Sequence, residues 1–170
     1  MTGTSVPSLR VAVLTVSDAG SRGERVDTSG PSIVQWAEAR GAVVTATRLV
    51  PDETVDIARA LTEWSDADQA DLILTTGGTG LAPRDVTPEA TRAVLDREAD
   101  GIAEAIRAAS GPKFPRAALS RGLAGVRGRT LVVNLPGSPG GVRDGLAVLD
   151  QFIDHAVDLI RDRPHAHEPS

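Results

Sequence analysis

The chain has 170 residues, 41% hydrophobic and only 2% aromatic, with no Tyr, no Cys and a formal net charge of -5. Such a length fits a single domain, taken here as residues 1–170, with a core built from Val, Leu, Ile and Ala. The lack of Cys excludes disulfides, thiolate catalysis and Cys-ligated zinc, while the negative charge and the scarcity of stacking platforms argue against nucleic-acid and membrane-surface partners.

Along the chain, apolar strands alternate with amphipathic helices. Val11 to Val16 is a continuous apolar run, the pattern of a strand buried on both faces. A polar, Gly-containing loop follows from Ser17 to Thr28. Asp27 or Ser29 can cap a helix that starts near Pro31 and stops at Gly41. Ala42 to Val50 reads as a second strand. Asp52-Glu53 opens a second helix whose inner face carries Ile57, Ala58, Leu61 and Trp64. Asp71 to Thr75 is a third strand.

Thr87 reads as an N-cap and Pro88 as the first residue of a helix that continues through Ala93, Val94 and Arg97. Gly101 to Ala109 is a further short helix, and residues 110–128 give no clear pattern. Thr130 to Leu135 is a buried strand. One final helix carries Val142, Leu146, Leu149, Ile153, Val157 and Ile160 at spacings of three and four. The polar stretch from Arg163 to Ser170 is expected to be a flexible tail. Trp36 and Trp64 fall among apolar residues and are expected in the core.

Strand–helix alternation predicts a three-layer α/β/α sandwich with a mostly parallel central sheet. Ligands of such sheets bind beyond the carboxyl ends of the strands. Four unusual loops fall there, beginning at Ser17-Asp18, Pro51-Asp52, Gly77 and Pro136.

The most distinctive of them is Thr75-Thr76-Gly77-Gly78-Thr79-Gly80, followed by Pro83-Arg84-Asp85-Val86-Thr87-Pro88-Glu89. Small residues let backbone N–H groups close around an anion, with a helix N-terminus behind it. Neither the P-loop pattern nor the dinucleotide-binding spacing is present. A tight turn needing positive φ is the plainer reading of the glycines taken alone. Asp85 and Asp52 have plain readings as helix-terminus acids. Two acids at adjacent strand ends, beside a phosphate cradle, make chemical sense together when a metal ion lies between them. The three histidines, His155, His165 and His167, are all near the C-terminus, so a histidine base is not expected. The N-terminus shows no signal-peptide pattern, and no apolar run approaches the ~20 residues a membrane span needs. A cytoplasmic protein is the expectation.

These motifs resemble the molybdopterin adenylyltransferases of molybdenum-cofactor biosynthesis, the Mog, MoaB and gephyrin G-domain type. The likeness runs from Val11 to about Ile160. It is carried by Thr15-Val16-Ser17-Asp18, Asp27, Leu49-Val50-Pro51-Asp52-Glu53, the glycine run with Pro83 to Glu89, Leu119-Ser120-Arg121 and Asn134-Leu135-Pro136-Gly137-Ser138-Pro139. The resemblance implies a homotrimer that joins molybdopterin to Mg-ATP, giving adenylylated molybdopterin and pyrophosphate, with possible hand-over to a molybdenum-insertion protein. It implies essential, Mg²⁺-associated roles for Asp52 and Asp85. It implies ligand contacts from Ser17, Asp18, Asp27, Thr76, Gly77, Gly78, Thr79, Gly80, Ser120, Arg121, Asn134, Pro136, Gly137, Ser138 and Pro139. Two alternatives remain open from the sequence: a non-catalytic molybdopterin-binding or scaffold trimer, and a hydrolase of a nucleotide diphosphate that uses water as nucleophile.

Overall fold

The structure is a computed structural model and describes residues 7–164. Six strands form one sheet in the order β2-β1-β3-β6-β5-β4. The strands are β1 (Arg10–Val16), β2 (Val43–Val50), β3 (Leu72–Thr76), β4 (Arg97–Glu98), β5 (Ala124–Arg127) and β6 (Thr130–Leu135). The first four in sheet order are parallel, β5 runs antiparallel to β6, and β4 antiparallel to β5.

Strand alternation sorts side chains into two cores. Val11, Val13, Leu72 and Leu74 face one side, where helices α2 (Ser29–Ala39), α5 (Asp100–Ser110), α6 (Pro139–Leu149) and α7 (Ile153–Ile160) cover them. Ala12, Leu14, Val16 and Ile73 face the other, under α3 (Thr54–Asp66) and α4 (Thr87–Val94). Residues of β1 and β3 are almost wholly buried, which explains their unbroken apolar runs. The chain moves outward from β1 to β2, then returns past β1 to β3. The switch point therefore lies between β1 and β3, where an open α/β sheet makes its ligand crevice.

Four expectations from the sequence are corrected. The loop after β1 contains a one-turn helix, α1 (Asp18–Ser21), capped by the Ser17 hydroxyl, which accepts from Gly20 N–H at 2.9 Å. Helix α4 ends at Val94, and Arg97 belongs to β4, because Leu95 turns extended and Asp96 N–H bonds to Val126. The last helix is two, α6 and α7, broken where Phe152 leaves helical geometry (φ -149°). Its three-and-four spacing survives the break, since Leu149 and Ile153 are both fully buried, so periodicity alone could not show it. Arg163 is not part of a loose tail: it reaches Asp71 at 3.3 Å. The rest of the expected tail, with His165 and His167, lies outside the described residues, apart from Pro164.

Residues 110–128, unread from the sequence, hold the end of α5, a 3₁₀ turn (Pro115–Leu119) and β5. Trp64 is core, as expected, at 3% exposure. Trp36 is only partly buried; its indole N–H donates to Asp150 at 3.0 Å and Arg40 stacks on its ring.

Candidate active site at the carboxyl rim of the sheet

Strand β3 runs directly into Gly77–Gly80. Gly77 and Gly78 have φ of +95° and +67°, a region other residues enter only at a cost. A Cβ on Gly77 would lie 2.3 Å from the Val16 carbonyl, so the turn needs glycine for space as well as for conformation. Four consecutive carbonyls of the turn are tied back into the protein. Gly77 O accepts from the Thr87 hydroxyl (2.9 Å) and Gly78 O from Thr87 N–H (3.1 Å). Thr79 O accepts from Arg121 N–H and Gly80 O from Arg121 Nε, each at 2.8 Å. By contrast, the N–H groups of Gly78, Thr79 and Gly80 have no acceptor among the described residues. The peptide units are thus held from their oxygen side and offer their donors outward.

The acids converge on this turn. Asp52 follows β2 and Asp85 precedes α4. A Cβ built on Gly78 would lie 3.0 Å from Asp52 Oδ1, and one on Gly80 would lie 2.8 Å from Asp85 Oδ2. Asp85 Oδ2 also accepts from Ala82 N–H at 3.0 Å, which closes its loop. Asp52 does not cap α3; Glu53 stands at the cap position and makes no side-chain cap bond. Instead Asp52 and Asp18 pair reciprocally: Asp18 N–H donates to Asp52 Oδ2 at 2.7 Å and Asp52 N–H to Asp18 Oδ1 at 3.0 Å. The Arg84 guanidinium forks onto Asp18 (3.0 and 3.0 Å) and reaches Glu53 at 2.8 Å.

These surroundings separate the two paired carboxylates. Burial, opposed by the Asp18 N–H and reinforced by the Asp18 and Asp85 charges, holds the Asp52 carboxyl above its ordinary value. The Arg84 fork and the Asp52 N–H hold that of Asp18 below its ordinary value. Asp52 is therefore an acid whose charge is disfavoured chiefly by burial. Among the described residues, no group of three or more His, Cys, Asp or Glu is assembled to hold a metal ion. Asp52 and Asp85, both beside the glycine turn, could hold a magnesium ion that keeps most of its shell for water and phosphate oxygens.

Two clefts flank the turn. One, of about 240 Å³, lies between α2 and β2 and is lined by Ser17, Asp27, Ser29, Thr76, Gly137 and Pro139 among others. The other, of about 500 Å³, lies on the 3₁₀ and α6 side; Thr79, Gly80, Ser120, Pro136 and Ser138 contribute to it. Its wall adds Lys113, Arg116 and Arg143, three cations not singled out from the sequence.

Several expected contact residues spend their polar atoms on architecture. Asp27 accepts from the Thr15 hydroxyl (2.7 Å) and from Gly30 N–H (3.0 Å), tying down the first turn of α2, which starts at Ser29 with Thr28, not Asp27 or Ser29, at the cap position. Thr87 does not cap α4; it is the first helical residue, and its hydroxyl goes to Gly77. Thr76 Oγ1 donates to Pro136 O at 2.7 Å and Ser29 Oγ to Gly137 O at 3.0 Å, stitching the rim loops together. Ser138 caps α6 through Gly141 N–H at 3.2 Å. Asn134 is 3% exposed and wholly engaged: its amide donates to Thr75 and Thr91 and accepts from Leu123 N–H. Arg121 is a brace beneath the turn, bonded to Gly80 O, Asp85 O and Glu89.

A doubly wound α/β domain thus carries its glycine turn and both acids at the carboxyl rim of the sheet. The chain belongs to the molybdenum-cofactor biosynthesis family described as "Probable molybdopterin binding domain", whose model matches residues 12–155. It is 43% identical over 169 residues to a Dictyostelium discoideum gephyrin, covering 94% of this chain but 23% of that protein. The chain thus spans about a quarter of the first curated relatives it matches. It is 41% identical over 143 residues to the molybdopterin adenylyltransferase of Escherichia coli K12 (82% of this chain, 72% of that one). A solved structure of the molybdopterin biosynthesis enzyme MoaB from Thermus thermophilus superposes with a TM-score of 0.86 at 53% identity, covering 92% of this chain and 98% of that one. The sandwich and its mostly parallel sheet are as the sequence led one to expect.

Proposed function

We propose that this chain adenylylates molybdopterin: it joins molybdopterin to Mg-ATP and releases pyrophosphate. The observation that carries the reading is the glycine turn, with its four carbonyls tied inward and three N–H groups left outward, set against Asp52 and Asp85. Similarity to bacterial proteins named molybdopterin adenylyltransferase supports the reaction type.

The nucleophile is an oxygen of the molybdopterin phosphate. A phosphate monoester has its second pKa near ~6, so at neutral pH it is already largely dianionic. It needs no general base, which agrees with a rim that carries no histidine among the described residues. The oxygen attacks the α-phosphorus of ATP. One P–O bond forms, the bond to the bridging oxygen of pyrophosphate breaks, and its electron pair leaves with pyrophosphate. The task left to the protein is to bring polyanions together and to stabilise charge as it moves.

Its residues divide this task. Gly78, Thr79 and Gly80 offer main-chain donors to phosphate oxygens. Lys113, Arg116 and Arg143 give the larger cleft the charge suited to the phosphate-bearing pterin. The smaller cleft, whose wall adds Arg25, Val26 and Leu49, is assigned to the nucleoside. Asp52 and Asp85 would hold Mg²⁺. When bound, that ion neutralises the triphosphate and polarises the phosphorus under attack. We further propose that the protein works as a cytoplasmic homotrimer that passes its product to a metal-insertion protein.

The test is direct. Purified protein is incubated with molybdopterin and Mg-ATP, and adenylylated pterin and pyrophosphate are quantified. Equal amounts of both are expected, with neither formed when the pterin is omitted. Pterin binding without product would establish the scaffold alternative; nucleotide cleavage without pterin would establish the hydrolase.

A further inference from the structure

We infer that Arg84 is a positioning residue that sets the spacing of the two acids, an inference resting on the adenylyltransferase reading. Arg84 is the covalent neighbour of Asp85. Its guanidinium leaves that loop and crosses to the other acid loop, where it forks onto both oxygens of Asp18 at 3.0 Å and reaches Glu53, beside Asp52, at 2.8 Å. Asp18 in turn grips Asp52 through two reciprocal main-chain bonds, at 2.7 and 3.0 Å. One side chain therefore ties the segment bearing Asp85 to the start of α1 and to the turn bearing Asp52. No strand ladder does this, because α4 follows the Asp85 loop directly and the β2 turn leads into α3.

The planar fork matters as much as the charge. A bidentate guanidinium–carboxylate pair fixes both distance and orientation, which an ammonium does not. Arg84 is more than half exposed, so the pair adds little to overall stability. Its effect is local. With Arg84 removed, Asp18 loses two donors, Asp52 loses its anchored partner, and the two carboxylates are no longer held at one separation. The ion they share is then bound less tightly, while the larger cleft, which lies on the far side of the turn, is unaffected.

The experiment compares wild type, Arg84→Ala, Arg84→Lys, Asp18→Ala and the Arg84→Ala/Asp18→Ala double variant in two ways. Amide hydrogen exchange is followed at residues 17–20 and 51–54. Half-saturating Mg²⁺ is measured both for adenylylation and for calorimetric binding of a non-hydrolysable ATP analogue. In Arg84→Ala, exchange in both segments is expected to rise about tenfold and half-saturating Mg²⁺ about tenfold, with molybdopterin affinity unchanged. Arg84→Lys recovers only part of each, and the double variant is no worse than Asp18→Ala alone. Unchanged exchange overturns the inference. Faster exchange with wild-type Mg²⁺ dependence, or additive effects in the double variant, overturns it as well. Failure of the adenylyltransferase reading looks different: wild type itself then makes no product. The exchange and analogue-binding arms still decide whether Arg84 positions the acids.

Discussion

The two ends of the sheet each carry a cluster of charges, and they are built to opposite rules. At the amino end, Asp71 is buried at the start of β3 among three arginines. Arg10 donates to it from its backbone (2.8 Å) and its guanidinium (3.0 Å), and Arg161 and Arg163 close in from beyond α7. Burial alone would raise the Asp71 carboxyl, but the hydrogen bonds from Arg10 and the charges of Arg161 and Arg10 overcome it and hold it below its ordinary value. At the carboxyl end, Asp52 is held above its ordinary value. One acid is over-supplied with positive charge and locks chain ends together. The other is raised chiefly by burial, the setting of a group whose charge a bound cation would stabilise.

The contrast can be broken from either side. The largest effect is expected at the amino end. Asp71→Ala leaves Arg10 and the buried Arg161 to the half-exposed Asp68, and removing one member of a buried pair costs about 3–5 kcal/mol. Urea unfolding should show that loss, and a loss below about 1 kcal/mol would mean the cluster is mere surface charge.

Next comes Asp85→Asn. Product formation should fall at least ~100-fold, about 2.7 kcal/mol of transition-state stabilisation. The melting temperature and the molybdopterin affinity should stay near those of wild type. Wild-type turnover at saturating Mg-ATP would remove Asp85 from the mechanism.

Gly78→Ala tests the turn between these acids. Its Cβ meets the Thr87 hydroxyl at 2.3 Å in a backbone conformation of φ +67°. The strain is about 1–3 kcal/mol. Calorimetry should show weakened binding of the ATP analogue, with pterin affinity less affected.

The smallest effect sharpens the comparison by its sign. Asp71, whose folded value is lowered, contributes stability that is present above the unfolded value of 3.8 and is lost as pH falls through the folded one. Asp52, whose folded value is raised, binds its proton more readily in the fold than in the open chain. Its charged form is therefore a cost at neutral pH, and that cost disappears on acidification. Asp52→Asn keeps the acceptor for Asp18 N–H and removes the charge, so the melting temperature at pH 7 should rise slightly while product formation is lost. A fall in melting temperature would mean that Asp52 is a structural ion-pair member like Asp71.

Much of this was legible in the sequence. Strands β1, β3 and β6 announce themselves as apolar runs, and the glycine turn with Asp85 announces the rim. Helix limits set by tertiary packing did not show. Nothing local separates α6 from α7, because the buried positions keep their period across Asp150–Phe152. Strand β5 is only Ala-Gly-Val-Arg, and its Gly125 exists for a close approach: a Cβ there would lie 2.3 Å from Arg97 O. At the site, the resemblance implied ligand contacts for Asn134 and Arg121, and the fold also shows both side chains bonded within the protein. The reverse holds for Lys113, Arg116 and Arg143. Lys113 and Arg116 stand in a stretch without periodicity and Arg143 in α6, and only the fold brings them to one cleft wall.

On this reading, the glycine-turn N–H groups and the two acids together receive a metal-neutralised triphosphate for attack by a pterin phosphate. Quantifying pyrophosphate released by wild-type protein, with molybdopterin and Mg²⁺ each present or withheld, tests it most directly. Release is predicted only when both are present, in equal amount to adenylylated molybdopterin. Release that persists without molybdopterin, or that is indifferent to Mg²⁺, would contradict it.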